Sequence, residues 1–328
     1  MMIAIGADSV ARHCAASVLL AVVLVTLGAG AVSAAAPHQQ AFATPEEAVQ
    51  AFVAAVKAND TQALLAVLGS SARPLINSGD PVADRASREH FLRSYDEANS
   101  LVKSGDDKAV LQTGKDDWPF PIPLAKSQAG WRFDTDAGRE EILDRRIGAN
   151  ELSAVQACLA YVDVQREYYQ GDPDHDGLLH YAQKFRSAPG KRDGLYWETK
   201  AGEEESPLGP LFARATTAGY AMKGGPNPDP YHGYYYRILT AQGADAAGGA
   251  YSYIGHGQMF GGFALVAYPA AWGNSGVMTF IVNHDGVVFQ KDLGPKTAAI
   301  ARAMKTFNPD STWTRVEGGK DEVSSATK

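Results

Sequence analysis

The feature that most constrains the fold is a long helical pattern from about Gly138 to Tyr169. Leu152, Val155, Leu159, Val162 and Tyr169 form its apolar stripe, while Glu151, Gln156, Asp163 and Arg166 lie off that stripe. If continuous, the element is roughly 45 Å long at about 1.5 Å per residue, long enough to link two parts of the chain and pack on both. Gly148 is expected to bend or split it, because glycine weakens a helix interior.

Ahead of this helix the pattern is helices followed by a hairpin. Thr44-Pro45-Glu46-Glu47 places an N-cap threonine, a proline in the first turn and a glutamate at the third position, which opens a helix carrying Val49, Phe52, Val53 and Val56. Asp60 caps a second helix with Leu64, Leu65, Val67 and Leu68, and a third is expected from Ser87 with Phe91, Leu92, Tyr95 and Ala98. Ala109–Leu111 reads as a short strand, and Phe120–Ala125 with Trp131–Phe133 as a hairpin around Gln128-Ala129-Gly130.

Behind the helix the chain is rich in glycine, tyrosine and strand signals. Tyr234–Leu239, Gly262–Tyr268, Val277–Val282 and Val287–Gln290 are the expected strands, the last two joined at Asn283-His284-Asp285-Gly286, where Asp-Gly favours a tight hairpin. Pro295–Thr306 reads as a closing helix, and the polar tail at 316–328 as disordered. The fold class is therefore α+β: a helix-plus-curved-sheet domain over 42–135, then a long helix packed on an antiparallel sheet over 136–308.

The N-terminus carries the order of a secretory signal: Arg12, an uncharged apolar run, then Val32-Ser33-Ala34-Ala35-Ala36 before Pro37. Cleavage after Ala34 would leave a periplasmic or secreted chain with no later span and with Cys158 as its only cysteine. Such a chain has no internal disulfide to stabilise it in an oxidising compartment. Cys158 lies among apolar residues and reads as a small core residue. The net charge of −7 argues against nonspecific nucleic-acid binding, which needs a basic surface.

Among chemical motifs the sharpest is Asp172-Pro173-Asp174-His175-Asp176-Gly177. Asp172, Asp174 and Asp176 alternate before a glycine turn and could converge on a hard cation, so calcium is the candidate ion. Against a full calcium loop stand His180 at the ninth position and the neutral Gln183 at the twelfth. The other reading is a solvated acidic turn. His232, His256 and His284 are scattered in loops, no G-x-S-x-G elbow occurs, and the glycine-rich stretch 248–262 has no phosphate-loop lysine. Tyr231, Tyr234, Tyr235, Tyr236, Tyr251 and Tyr253 could form a binding surface for sugar or peptide, or simply pack along strands.

Several segments in order, from Trp131-Arg132-Phe133 and Arg145-Arg146-Ile147-Gly148-Ala149-Asn150-Glu151 through Pro189-Gly190-Lys191-Arg192-Asp193-Gly194 to Thr279-Phe280-Ile281-Val282-Asn283, resemble the uncharacterised bacterial family domain of unknown function 2950. That resemblance spans nearly the whole chain after the signal and implies export without an assigned activity. Residues 42–135 are similar to the cone-shaped nuclear transport factor 2-like fold, and 145–292 to the globular heads of pilin-like proteins. The leading expectation is an exported, non-catalytic binding or envelope-assembly module with envelope proteins as partners. The competing one is a small-ligand binder or enzyme using a pocket in the N-terminal domain.

Overall fold

The computed structural model describes residues 39–173, 175, 177–200, 202–221 and 229–317. The signal-like segment, Asp174, Asp176 and the tail from 318 onward lie outside the described residues. The described residues form one compact α+β unit with two separate hydrophobic cores. No helix among the described residues is long and apolar enough to cross a membrane.

The first core lies between four helices and a curved sheet. The helices are α1 (Pro45–Lys57), α2 (Thr61–Leu68), α3 (Arg73–Ile76) and α4 (Pro81–Glu97). The strands are β1 (Asn99–Ser104), β2 (Lys108–Thr113), β3 (Trp118–Pro119), β4 (Leu124–Ser127) and β5 (Gly130–Phe133), ordered β1-β2-β4-β5 with β3 on the end of β2. The cap of α1 forms as its residues dictate: Glu47 N–H donates to Thr44 Oγ1 at 3.1 Å, and the Glu47 carboxylate accepts from Ala43 N–H at 3.1 Å. The interior is closed by Phe52, whose ring lies 5.2 Å from Phe91, 5.1 Å from Phe120 and 5.3 Å from Phe133.

Helix α4, expected from Ser87, differs from expectation. It begins at Pro81, not Ser87, because Asp80 caps it: Asp80 Oδ1 accepts from Val82 N–H at 3.1 Å and Ala83 N–H at 3.0 Å. None of its residues is fully buried, so its first turns carry no apolar stripe to read. Strand β1 was also hidden, since its residues are exposed along almost their whole length.

The long helix, α5, is continuous over 37 residues from Thr135 to Gly171. Gly148 neither splits nor ends it. A lone glycine costs a helix only about 1 kcal/mol, and here packing at both ends of α5 holds the helix through it. Its first turns are tied to the N-terminal half, with Thr135 Oγ1 donating to Leu68 O at 2.6 Å and Arg139 to Ser71 O at 2.9 Å. Its second half lies on the second sheet.

That second half of the chain contains α6 (Gly209–Thr217), β6 (Tyr234–Leu239), the short strands β7 (Ala241–Gln242), β8 (Tyr251–Ser252), β9 (Ile254–Gly255) and β10 (Gln258–Met259), then β11 (Ala264–Pro269), β12 (Met278–Asn283), β13 (Val288–Asp292), α7 (Thr297–Ala303), β14 (Thr306–Phe307) and β15 (Thr314–Arg315). The main sheet is antiparallel and five-stranded, in the order β15-β13-β12-β11-β6. Side chains alternate across a strand. Tyr234 and Tyr236 therefore turn toward Cys158 on α5, while Arg237 turns the other way, to the carbonyls of Ala301 and Met304 at the end of α7. Strands β11 and β12 are covered on both faces, which explains the apolar run of β11 and the consecutive Phe280-Ile281-Val282 of β12.

Candidate functional site

A cleft of about 770 Å³ opens on the α5 side of the sheet, beside the edge strand β6. One wall is α5, where Ser153, Gln156, Ala157 and Ala160 face it. The opposite wall is α6 with the residue before it: Leu208, Leu211, Phe212 and Arg214. Tyr236, Arg237 and Ile238 of β6 form the floor, and Tyr231, His232 and Asp229 close one end. Small alanines on α5 leave the width; the leucines and Phe212 supply apolar surface.

Strand β6 is entered through a two-residue turn. Tyr231 N–H donates to Tyr234 O at 2.9 Å and Tyr234 N–H returns to Tyr231 O at 3.2 Å, with His232 at φ +50° and Gly233 at φ +74° between them. Both central residues are left-handed, the signature of a type I′ hairpin turn. At Gly233 a side chain would also strike Asn150 Nδ2, 2.5 Å from where its Cβ would stand. The turn sets Tyr231 and His232 side by side at the cleft, their rings 4.3 Å apart.

Beneath this turn lies a buried carboxylate from the other half of the molecule. Asp80, 1% exposed, caps α4 with Oδ1 and with Oδ2 accepts from Tyr220 Oη at 3.0 Å and Gly233 N–H at 2.9 Å. His232 N–H in turn donates to Tyr220 Oη at 3.3 Å. Burial holds the His232 imidazole below its ordinary value, with Asp80 pulling weakly the other way, so the ring is neutral at pH 7 and keeps one nitrogen as an acceptor. A second clip lies nearby: Arg146 donates to Asn274 Oδ1 at 2.6 Å and to the carbonyls of Pro74 and Leu75, and Asn274 Nδ2 donates to Asn77 O at 3.1 Å.

The charged groups of the cleft divide into committed and uncommitted. Lys184 pairs with Asp193 at 2.6 Å, and Arg186 pairs with Glu198 at 2.8 Å while lying over the Tyr196 ring. Arg237 is held by α7. Arg214 and Asp229 line the cleft with no ion pair among the described residues. Burial raises the Tyr231 hydroxyl, and the Arg214 charge partly offsets it.

The residues singled out from sequence fall in several places. Asp172 ends α5 in the left-handed conformation at φ +42°, with one buried carboxylate oxygen that has no hydrogen-bond partner among the described residues. Asp174 and Asp176 lie outside the described residues. Of the flanking positions, His180 packs against Tyr168 and Phe260, and Gln183 donates to Gly257 O at 2.8 Å. No group of three or more metal-ligating side chains occurs among the described residues. Cys158 is fully buried and its thiol is pushed up to about 12 by desolvation, the state of an unreactive core residue. The tyrosines divide: Tyr234 and Tyr253 are buried, Tyr235 packs on Tyr268, Tyr251 is exposed, and Tyr231 and Tyr236 line the cleft.

The molecule is thus an α+β protein whose long helix carries a filled core at one end and an open cleft at the other. It belongs to the family described as Protein of unknown function (DUF2950), whose family model matches residues 39–316. No curated protein and no solved structure matches the chain.

Proposed function

We propose that this protein is an exported binding module that works through the cleft between α5, α6 and β6. The observation that carries this reading is the cleft itself: about 770 Å³, walled by Ala157, Ala160, Leu208 and Leu211, with the neutral His232 at one end and Arg214 and Asp229 beside it, neither in an ion pair among the described residues. A mainly apolar cavity of a few hundred Å³ with a few convergent polar groups is the usual form of a ligand site. The alternative pocket inside the N-terminal half has less support, because Phe52, Phe91, Phe120 and Phe133 occupy that interior. Export rests on Arg12, the uncharged run and the small residues up to Ala36.

Two measurements test the reading. The fluorescence of N-phenyl-1-naphthylamine, an uncharged aromatic probe, should rise on addition of the protein and should not rise with Ala157→Trp, which fills the cleft. An unchanged rise in that variant places the probe elsewhere and removes the site. Mass spectrometry of protein recovered from outside the cytoplasm should show a chain beginning at Ala35; a chain starting at Met1 contradicts export by cleavage.

A further inference from the structure

The cleft runs along the edge of a β-sheet whose backbone is unpaired there among the described residues. Strand β6 has β11 on one side and, among the described residues, no strand on the other. In an antiparallel pair, alternate residues bond to the neighbour and the rest point their N–H and C=O away. Two bonds fix which are which. Ala270 N–H donates to Gly233 O, so Gly233, Tyr235, Arg237 and Leu239 face β11; Tyr234 uses both its groups on Tyr231, on the outer side. Tyr236 and Ile238 therefore also point outward, and no backbone or side-chain partner for their N–H and C=O groups occurs among the described residues. The open stretch is bounded at one end by the Tyr231–Tyr234 turn and at the other by Thr240, whose carbonyl accepts from Tyr253 N–H.

Natural sheets blunt such edges with proline, lysine, a bulge or a covering segment. Strand β6 reads Tyr-Tyr-Tyr-Arg-Ile-Leu, and its one charge, Arg237, is turned to α7 on the opposite face. The unblunted edge instead lies along a cleft with small alanines on one wall and leucines on the other.

We propose, building on the binding role above, that the ligand is an extended peptide segment of another protein, which adds to the sheet as a strand beside β6. Its backbone pairs with Tyr236 and Ile238, so about five residues at ~3.3 Å each suffice to cover the open stretch. Alternate side chains of the segment point toward Ala157, Ala160 and Leu211, which favours apolar residues at every second position. Main-chain bonds provide affinity and the side-chain pockets selectivity, as in other strand additions.

The test uses the full chain freed of its signal. Random twelve-residue peptides displayed on phage are selected against it, and the enriched peptide is synthesised with and without single N-methyl groups. Amide exchange is followed residue by residue. Tyr236 and Ile238 should exchange faster than Arg237 and Leu239 in the free chain, and become protected when the peptide binds. N-methylation at alternate positions should weaken binding about ten-fold or more, since it removes one backbone bond each time. Ala157→Trp and Ala160→Trp, each checked for folding by circular dichroism, should both lose the peptide.

A peptide that binds in the cleft but tolerates N-methylation throughout, leaving both amides unprotected, overturns strand addition while the binding role stands. So does failure to enrich any peptide while the naphthylamine probe still binds in a cleft-dependent way. If neither peptide nor probe binds, the binding role itself fails. If the two amides are already protected in the free chain and protection grows with protein concentration, a second copy fills the edge and the foreign-peptide proposal is wrong.

Discussion

The two halves of this protein use aromatic residues in opposite ways. Around α1 and α4, four phenylalanines meet in the middle and leave the cup full. Around β6, the aromatics are mostly tyrosines: Tyr234 is buried against α5, whereas Tyr231 and Tyr236 stand at a cleft. Phenylalanine has nothing to offer a ligand except area, and it fills space; tyrosine carries a hydroxyl that must find a partner or face an opening. On the proposed reading the first half supports and the second binds, and Asp80 joins them by capping α4 while holding the turn that enters β6.

The comparison can be broken at several points. The largest effect belongs to the filled half: Phe52→Ala should destabilise the fold by about 3–5 kcal/mol, the range for emptying an aromatic core site. Urea unfolding checks this, and a loss under 1 kcal/mol would mean the cup is not a packed core. Next comes the joint. Asp80→Ala removes a helix cap and leaves Tyr220 Oη and Gly233 N–H without their acceptor, at a cost of about 2–4 kcal/mol. The same variant should weaken probe binding in the cleft, because the turn bearing Tyr231 and His232 loses its anchor; unchanged binding would separate the halves.

Smaller effects lie in the half that contains the cleft. We propose calcium for Asp172, Asp174 and Asp176, on the strength of their spacing and of the buried Asp172 oxygen that has no hydrogen-bond partner among the described residues. Calcium at ten times the dissociation constant should then add about 1.4 kcal/mol of stability. A melting temperature that is the same in calcium and in chelator removes the ion. The smallest effect is a pH dependence at His232. Its folded value lies below the ordinary 6.5, so the unfolded chain takes up the proton first as pH falls. His232 thus contributes nothing unfavourable above pH 6.5 and subtracts stability below it. His232→Gln should flatten the acid limb of the stability curve from pH 6.5 downward; an unchanged limb would show that the imbalance lies elsewhere.

Much of the architecture was legible in the sequence, for reasons that show where legibility ends. Tyr234–Leu239 was read to the residue, and α1 was read from its cap, because local chemistry decides both. The start of α4 differs although Asp80-Pro81 is a cap signal, since the apolar stripe begins only near Phe91 and the helix buries nothing fully. Strand β1 was missed for the same reason. The cleft was not legible at all. Its walls come from α5, α6 and β6, far apart in sequence, and each lining residue is ordinary by itself. His232 is one of three histidines scattered in loops, and only the tyrosines around it set it apart in the sequence. The pairing state of a strand edge likewise belongs to register, which no single segment encodes.

The central claim, that the cleft beside β6 is the working part, is tested most directly by titrating N-phenyl-1-naphthylamine into the native chain, Ala157→Trp in the cleft and Ala129→Trp in the exposed hairpin turn of the filled half. The account predicts saturable binding to the native chain and to Ala129→Trp and none to Ala157→Trp. Equal binding to all three would contradict it.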